Sequence, residues 1–226
     1  MKHIRTQYSP ESCRDDWIAD KAVLRDERVY FDLNTIFTYI NEGFYVDMTE
    51  RKLLYTMYNM GLLRGNRTKS ANIVGTTMKL NPHGDNAIYE TMVRLTRGNE
   101  SLLVPFVDSK GNFGKVYSRD MAYAASRYTE AKLDAVCIEL FRDIDCDAVD
   151  FTDNYDGTLK EPVLLPTTFP NILVSANTGI AVGMASNFCG FNLHEVCRTA
   201  IACIKDENHD ILSTLPAPDF PTGGDI

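Results

Sequence analysis

The feature that most constrains this chain is a series of three amphipathic segments in its first half, each bounded by helix-capping or helix-breaking residues. Asp47 and Glu50 form a capping box that predicts the start of a first helix. A second helix is predicted over residues 69–78, and Pro82 interrupts the pattern after it. Asp85 is a good N-cap for a third helix. The residues predicted to face the core are Leu53, Leu54, Met57, Tyr58 and Met60 in the first helix, Ile73, Val74 and Thr77 in the second, and Ile88, Met92 and Leu95 in the third.

Extended, glycine-rich sequence follows these three helices. Residues 102–107 form a strand-like apolar run, residues 108–114 are rich in turn formers, and residues 115–117 return to an extended pattern. Helix, turn, helix, turn, helix and then a glycine-rich hairpin is the order of a winged-helix DNA-binding domain. We therefore predict an α+β fold with a winged-helix domain, in which the β wing follows the third helix.

The third predicted helix has a polar stripe beside its apolar one. Asn86, Glu90 and Arg94 recur at every fourth position, which places them on one face. Such a stripe suits a recognition helix that lies on duplex DNA. An ordinary surface helix has the same pattern, and that alternative stays open here.

The remaining segments are predicted with less regular patterns. A helix is predicted over residues 130–143, strands over 149–151 and 171–174, and a turn over 154–157. The predicted buried stripe of the first of these is Leu133, Val136, Cys137, Leu140, Phe141 and Ile144. A last helix is predicted after the cap pair Asn192 and Glu195, with Val196, Ala200, Ile201 and Ile204 inward. At the N-terminus we predict a helix over residues 15–28 and a short strand or arm over 29–33.

Composition excludes several classes of protein. The chain has 226 residues, 44% of them hydrophobic, which is enough for one full core or two modest domains. No apolar run approaches the ~18 residues of a membrane span, and the N-terminus has no apolar signal-peptide region. The six cysteines form no CxxC pair, so we predict reduced, buried thiols, no metal site and a cytoplasmic location. No P-loop is present.

Charge is distributed unevenly along the chain. The net charge of −8 argues against indiscriminate nucleic-acid binding but leaves room for a local basic face. Five basic residues do cluster within one short segment: Arg51, Lys52, Arg64, Arg67 and Lys69. The cluster predicts one phosphate-facing surface, and an ordinary solvated face is the alternative.

Arg127 and Tyr128 form the most suggestive pair for catalysis. They fall between a hairpin-like segment and the predicted helix over residues 130–143, so neither has an obvious packing role. A phenol ionises in water only near pH ~10, and an adjacent guanidinium favours the negative charge that a nucleophilic phenol must carry. A surface tyrosine that covers the core is the alternative.

Several short motifs together resemble a known family. They are Pro82-His83-Gly84-Asp85, Gly111-Asn112-Phe113-Gly114, Arg127-Tyr128-Thr129-Glu130 and Gly179-Ile180-Ala181-Val182-Gly183-Met184-Ala185, with Asp153-Asn154-Tyr155-Asp156-Gly157 between the last two. Their order and spacing resemble the A-type subunits of bacterial type IIA topoisomerases, that is, of DNA gyrase and topoisomerase IV. The resemblance covers about residues 51–226, and its domains would be an N-terminal arm (1–46), a winged-helix DNA-breakage domain (47–145) and the beginning of a tower-like domain (146–226).

The resemblance implies roles for individual residues. Tyr128 would be the nucleophile that joins a DNA 5′-phosphate, with Arg127 beside it as the second catalytic residue. His83 would contact the cleaved strand, and Ile180 would wedge between base steps and bend the duplex. The remaining implied sites are Arg51 and Lys52 as phosphate contacts, and Asn86 and Glu90 as the positions that anchor quinolone drugs.

The resemblance also implies partners and cofactors. The chain would act on double-stranded DNA as a homodimer within an A2B2 complex, with one tyrosine for each strand. Mg²⁺ would come from the TOPRIM domain of the B-type partner, which would also hydrolyse ATP. The sequence stops after a Pro/Gly-rich loop, so we expect a fragment of a longer protein that is not active by itself.

Three departures from the family pattern keep other functions open. Asp47 and Glu50 stand where the family has a basic Lys-Pro-x-His stretch, Asn81 replaces the first histidine of the His-Pro-His-Gly-Asp motif, and residues 25–46 contain no match to the family's Ala-Leu-Pro…Asp-Gly-Leu stretch. Asn86 stands where the family usually has a serine, which concerns drug sensitivity rather than cleavage. Fewer cationic phosphate contacts weaken DNA binding and lower its salt dependence. The alternatives are a non-cleaving DNA-binding paralogue that still binds a B-type partner, and a structural dimerisation module.

Overall fold

The computed structural model describes residues 22–25, 28–31, 48–181, 184–221 and 223, and these form an α+β chain. The helices are α1 (Met48–Asn59), α2 (Ser70–Thr77), α3 (Asp85–Leu95), α4 (Ile138–Phe141), α5 (Asn171–Val174) and α6 (Leu193–Lys205). The strands are β1 (Ala22–Arg25), β2 (Arg28–Phe31), β3 (Thr68–Lys69), β4 (Val107–Lys110), β5 (Glu130–Leu133), β6 (Phe151–Asp153), β7 (Lys160–Pro162), β8 (Asn177–Ala181) and β9 (Met184–Phe188). Among the helices of these residues, none is long and apolar enough to cross a membrane.

Helices α1, α2 and α3 pack against one another and form the centre of the core. Leu53, Ile73, Ile88 and Met92 are completely buried between them. The three helices and their inward faces are therefore confirmed, because their apolar residues recur at the helical period and their breakers lie where the chain turns. Asp47 of the predicted capping box lies outside the described residues, and the Glu50 carboxylate forms an ion pair with Arg94 at 3.2 Å.

A three-stranded antiparallel sheet of order β3-β5-β4 packs beside α1. Its central strand is β5, which corrects the helix predicted over residues 130–143. Ala131 and Leu133 both point into the core, as alternate residues of a strand do. Strands β3 and β4 supply hydrogen-bond partners on the two edges of β5. A 3₁₀ turn (Ala135–Cys137) and the four-residue α4 follow. The burial of these residues was predicted well, but their secondary structure was not. The sequence of one segment does not show which strands will lie beside it.

The predicted wing also differs in its bounds. Strand β4 begins at Val107 and ends at Lys110, so it takes only the last residue of the apolar run 102–107 and continues into the predicted loop. Residues 115–117 do not form a strand. Their backbone takes part in one isolated β-bridge, between Lys115 and Ser118. A sheet does follow α3, but β5 rather than residues 115–117 completes it.

The described part of the C-terminal third contains the β6–β7 and β8–β9 hairpins and the helices α5 and α6. Strands β6 and β7 pair across the turn that was predicted at residues 154–157. Asn171–Val174 is a short helix, so the strand predicted there is wrong. Pro170 directly precedes this helix, and the fixed backbone angle of a proline suits the start of a helix. The hydrophobic core that contains the buried residues of α1 also includes Phe169, Val174 and Val196.

Helix α6 begins where it was predicted but faces another way. The Asn192 side chain accepts a hydrogen bond from the His194 N–H at 2.9 Å, which confirms the cap. Val196 and Thr199 are the buried residues, whereas Ile201 and Ile204 are 53% and 80% exposed. The prediction that these two isoleucines point inward is wrong for the described part of the chain.

Two further predictions are corrected. Ala22–Arg25 is a strand paired with β2, not the end of a helix over residues 15–28, and β2 overlaps the strand predicted at 29–33. Of the thiols predicted to be buried, Cys137 is buried, but Cys146 and Cys189 are exposed. Cys13 lies outside the described residues.

Candidate functional site

Arg127 and Tyr128 lie on an exposed turn that leads into β5. The Tyr128 N–H donates to the Ala125 carbonyl at 2.9 Å, which closes the turn. The Tyr128 side chain is 65% exposed, and the Arg127 guanidinium carbon lies 4.7 Å from the centre of its ring. At this distance the cation interacts with the ring face. The structure thus places a phenol and a guanidinium side by side and open to solvent.

The turn is held at both ends by the first residues of α2. The Ala71 N–H donates to the Ser126 carbonyl at 3.1 Å, and the Ser70 N–H donates to the Thr129 carbonyl at 3.0 Å. The first N–H groups of a helix have no partners within the helix itself. Two of them are used here to fix the residues directly before and after the Arg127–Tyr128 pair.

Buried hydroxyls join the same turn to α3. The Tyr89 hydroxyl donates to the Ala124 carbonyl at 2.7 Å and lies 2.9 Å from the Thr129 hydroxyl oxygen. The Thr129 hydroxyl lies 2.8 Å from that of Ser70 at the start of α2. Burial raises the pKa of the Tyr89 phenol, so it stays protonated and remains a donor at neutral pH.

The Gly-Asn-Phe-Gly motif shapes the loop that leads to this turn. The Asn112 side chain accepts from the Gly114 N–H at 2.9 Å and donates to the Ala122 carbonyl at 3.1 Å. Phe113 is buried in the core. Gly114 has φ +67°, and a Cβ atom there would lie 2.6 Å from the Met121 carbonyl oxygen. The motif therefore has a structural role, because it closes the loop across its base.

His83 is exposed directly before α3, and its predicted contact with DNA stays a prediction. The neighbouring Asn81 is buried: its side chain donates to the Thr49 hydroxyl at 3.2 Å, and its N–H donates to the Thr77 carbonyl. Asn81 therefore ties the loop of His83 to α1 and α2. This departure from the family motif has a packing role.

Asn86 and Glu90 are exposed on α3, one turn apart. The Glu90 carboxylate accepts a hydrogen bond from the Tyr123 hydroxyl at 3.3 Å. Burial, and then the charge of Glu90, raise the pKa of Tyr123. The third member of the predicted polar stripe, Arg94, pairs with Glu50. The stripe thus contacts both α1 and the loop before Tyr128.

Arg51 and Lys52 lie on α1, and the chain itself uses much of their charge. The Lys52 ammonium donates to the Leu80 carbonyl at 2.9 Å and lies 3.3 Å from the Glu161 carboxylate. Burial lowers the pKa of Arg51, although Glu161 opposes this. The Arg51 Nε and one Glu161 oxygen have no hydrogen-bond partner within the described residues. Their predicted phosphate contacts stay predictions.

The other members of the basic cluster lie on or near the sheet. Arg67 pairs with Asp108 at 2.7 Å, and Lys69 pairs with Glu130 at 2.9 Å. Arg64 is exposed. Two carboxylates therefore neutralise part of the surface on which phosphate contacts were predicted.

Ile180 lies in β8 opposite Ala185 of β9. Its side chain lies outside the described part of the structure, so its DNA-bending role stays a prediction. Within the described residues, no three His, Cys, Asp or Glu side chains are grouped so that they could hold a metal ion.

The structure brings α3, the start of α2 and the Tyr128 turn together, while Arg51 and Lys52 lie toward β7. Sequence reasoning missed Tyr89, Ser70 and the role of Thr129. Thr129 belongs to the Arg-Tyr-Thr-Glu motif, which was the available signal, whereas Tyr89 looks like any apolar-face residue of a helix.

Comparison with known proteins gives the family. The family profile for the A-type subunits of DNA gyrase and topoisomerase IV matches residues 48–226. The chain belongs to this family. The A-type topoisomerase 4 chain of Rickettsia conorii is 45% identical over 181 residues, which are 78% of this chain and 24% of that protein. The A-type gyrase chain of Halalkalibacterium halodurans is 45% identical over 181 residues, 78% of this chain and 21% of its own length.

The A-type gyrase chain of Campylobacter fetus is also 45% identical, over 183 residues. Identity to gyrase and topoisomerase IV chains is therefore equal among these relatives, and it does not separate the two classes. This family member spans less than a quarter of the length of the relatives it matches.

Proposed function

We propose that this chain is the DNA-cleaving part of an A-type subunit of a type II DNA topoisomerase, an isomerase that makes and reseals transient double-strand breaks. The observation that carries the proposal is the exposed Tyr128 phenol beside the Arg127 guanidinium, on a turn fixed at both ends by α2. Family membership supports the topoisomerase class. The cleavage step and its residues are inferred from the chemistry of the site.

The proposed reaction is a transfer of a phosphodiester to tyrosine. The Tyr128 oxygen attacks a DNA phosphorus atom, and the bond from phosphorus to the 3′ oxygen breaks as the bond to the tyrosine oxygen forms. The phenol loses its proton to solvent, and the leaving 3′ oxygen takes up a proton. The products are a 5′-phosphotyrosine ester and a free 3′ hydroxyl. One ester replaces another, so resealing needs no ATP at this step.

The role of Arg127 follows from charge. Negative charge builds up on the phosphate and the attacking oxygen in the transition state, and a preorganised cation stabilises it. Arg127 is exposed with Tyr128, so both side chains can meet one phosphate. A tyrosine that served only to cover the core would be largely buried, whereas Tyr128 is 65% exposed.

The DNA-binding arrangement is part of the proposal. Helices α1 to α3 with the β3-β5-β4 sheet would be a winged-helix domain whose helix α3 lies on the duplex. His83 would contact the cleaved strand, and Arg51 and Lys52 would contact phosphates. Ile180 would bend the duplex, and Asn86 and Glu90 would face quinolone drugs. Residues from 146 onward would begin a tower-like domain.

Partners and cofactors complete the proposal. The chain would form a homodimer within an A2B2 complex, with one Tyr128 for each DNA strand. As the family resemblance implies, Mg²⁺ is proposed to be held by the TOPRIM domain of the B-type partner. That partner would also hydrolyse the ATP that drives strand passage.

Trapping the covalent adduct tests this function. The full polypeptide that carries this chain is combined with its B-type partner, Mg²⁺ and supercoiled DNA, quenched with detergent and digested. We expect an adduct that mass spectrometry maps to Tyr128 and that Tyr128→Phe abolishes. Tyr117→Phe is the control, because Tyr117 is similarly exposed and lies outside the turn in which Arg127 covers the Tyr128 ring.

The second candidate function is a DNA-binding paralogue that does not cut. The observation in its favour is that Lys52, Arg67 and Lys69 are paired with carboxylates of the chain. DNA binding without an adduct, even on nicked substrates, would establish this candidate and refute cleavage through Tyr128. Contact with DNA that is weak and insensitive to salt would instead indicate a dimerisation module.

A further inference from the structure

The buried hydroxyls beneath the Tyr128 turn form a connected chain between three elements. Tyr89 belongs to α3, Thr129 follows Tyr128, and Ser70 begins α2. Resting on the proposed function, we propose that these three hydroxyls position the Tyr128 phenol for the transfer step. None of them would touch DNA or the reacting atoms, so they are positioning residues.

Their contacts surround the catalytic pair in the sequence. The Tyr89 hydroxyl holds the Ala124 carbonyl on the N-terminal side of the turn at 2.7 Å. It also lies 2.9 Å from the Thr129 hydroxyl on the C-terminal side. A single phenol therefore contacts both sides of the turn and restrains the backbone between them.

The contacts of the three hydroxyls are continuous from α2 to the turn. The Thr129 hydroxyl donates to the Ser70 hydroxyl at 2.8 Å, and the Tyr89 hydroxyl donates to the Ala124 carbonyl at 2.7 Å. Either oxygen can be the donor in the 2.9 Å contact between Tyr89 and Thr129. Thr129 therefore links the other two hydroxyls, and removing any member leaves a neighbour without one of its partners.

The network is shielded from water. Thr129 and Ser70 are completely buried and Tyr89 is 7% exposed, so water has little access to replace a lost partner. Hydrogen bonds in such surroundings are stronger than in water, and unpaired groups are costly. A Cβ atom added at Gly111 would lie 3.3 Å from the Thr129 methyl group, so a larger residue at this position would crowd the Thr129 side chain.

The consequence for catalysis differs from that for binding. The hydroxyls lie inside the protein, so their loss leaves the DNA-facing charges unchanged. A misplacement of ~1 Å at a reacting group lowers a rate by roughly 100-fold. We expect loss of a hydroxyl to slow cleavage by about 10- to 100-fold while the DNA dissociation constant changes by less than about threefold.

The experiment compares variants in which a single hydroxyl group is removed or kept. Tyr89→Phe and Thr129→Val remove hydroxyls from the chain, and Thr129→Ser restores the hydroxyl without the methyl group. Thr77→Val is the matched control: Thr77 is completely buried on α2, and its hydroxyl donates to the Ile73 carbonyl at 2.9 Å within the helix. Each is introduced into the full polypeptide and assembled with the B-type partner.

Three quantities are measured for each variant: the single-turnover cleavage rate on a suicide substrate, the DNA dissociation constant and the thermal unfolding midpoint. The expected result is slow cleavage in Tyr89→Phe and Thr129→Val, recovery in Thr129→Ser, and a normal rate in Thr77→Val at a comparable loss of stability. Ser70→Ala, at the far end of the chain of hydroxyls, gives a milder variant if Thr129→Val does not fold.

Several results would overturn the inference. Cleavage within twofold of wild type in both Tyr89→Phe and Thr129→Val would remove the positioning role. An equal loss of rate in Thr77→Val would attribute the effect to stability, and an equal loss of DNA affinity would attribute it to binding. If the wild-type protein forms no Tyr128 adduct, the proposed function itself fails, and this inference fails with it.

Discussion

The Lys52 ammonium lies 3.3 Å from the Glu161 carboxylate, and both side chains are only 10% exposed. The pair joins α1 to β7, and the same ammonium donates to the Leu80 carbonyl before the His83 loop. A residue that the family resemblance assigns to phosphate contact thus also connects three segments of the chain.

Removing Glu161 should strongly destabilise the fold. Glu161→Gln leaves the Lys52 ammonium buried without a counter-charge, and we expect the free energy of unfolding to fall by about 3–5 kcal/mol. Chemical denaturation of the wild type and variant measures it. Asp153→Asn is the control, because the Asp153–Lys160 pair is more than half exposed and should contribute ~0–1 kcal/mol.

The double variant Lys52→Met/Glu161→Met separates this explanation from loss of packing. Replacing both charges by apolar side chains should recover much of the stability lost in Glu161→Gln. Equal stability of the single and double variants would show that the charge of Lys52 is not the cause.

Gly114 and Gly157 allow a comparison at nearly equal backbone angles. Their φ values are +67° and +71°, but an added Cβ meets the Met121 carbonyl at 2.6 Å only at Gly114 and meets nothing within 4 Å at Gly157. Gly157→Ala should lower the free energy of unfolding by ~1–2 kcal/mol, the cost of a left-handed conformation. Gly114→Ala should cost a further ~1–3 kcal/mol through the clash.

Gly114→Ala should also slow DNA cleavage, because the loop it closes leads to Tyr128. The unfolding curves and single-turnover cleavage rates of both variants test this together. Equal effects in the two variants would mean that the loop relaxes around the added methyl group.

The thiols should differ sharply in reactivity. Burial raises the pKa of the Cys137 thiol, which also donates to the Phe106 carbonyl at 3.2 Å. Since the thiolate is the reactive species, iodoacetamide at pH 8 should modify the exposed Cys146 and Cys189 and leave Cys137 unmodified until the protein unfolds. Peptide mapping by mass spectrometry locates the labels, and rapid native labelling of Cys137 would contradict the structure.

Glu130 should contribute to acid sensitivity. Its hydrogen bond and ion pair with Lys69, followed by the charges of Lys110 and Arg67, lower the pKa of its carboxyl group. A lowered pKa in the folded state stabilises the protein above the unfolded value of about 4.3, and this stabilisation is lost as the pH falls through the lowered pKa.

The comparison of wild type with Glu130→Gln tests this linkage. Urea unfolding should show the wild type to be more stable at pH 7, and the difference should close as the pH falls below about 4. Added salt should also reduce the difference at pH 7, because these charges are largely exposed. A difference that stays constant with pH would point to an effect of shape rather than charge.

The sequence predicted best where a local pattern was sufficient. Helices α1 to α3, the Asn192 cap of α6 and the turn at residues 154–157 depend on short-range spacing and capping residues, and all are present. The family motifs placed the chain in its class before any comparison. Tyr128 was singled out from its motif; the structure places it exposed beside Arg127, and its catalytic role stays a prediction.

Local patterns failed where a distant segment decided the outcome. Residues 130–133 form a strand because β3 and β4 lie on both sides. Ile201 and Ile204 have the spacing of a buried face, but α6 packs through Val196 and Thr199 instead. Asn81 was interpreted as the replacement of a family histidine, but its side-chain amide donates to the Thr49 hydroxyl and so connects the His83 loop to α1.

The sequence by itself determined the family, the three core helices and the catalytic candidate, because motifs and amphipathic periods are properties of neighbouring residues. Only the tertiary structure decided how the Tyr128 turn is held. Tyr89, Thr129 and Ser70 are separated by up to 59 residues, and their hydroxyls become a network only when packing brings them within hydrogen-bond distance and excludes water. The partner of a buried polar group is chosen by the fold, not by its neighbours in sequence.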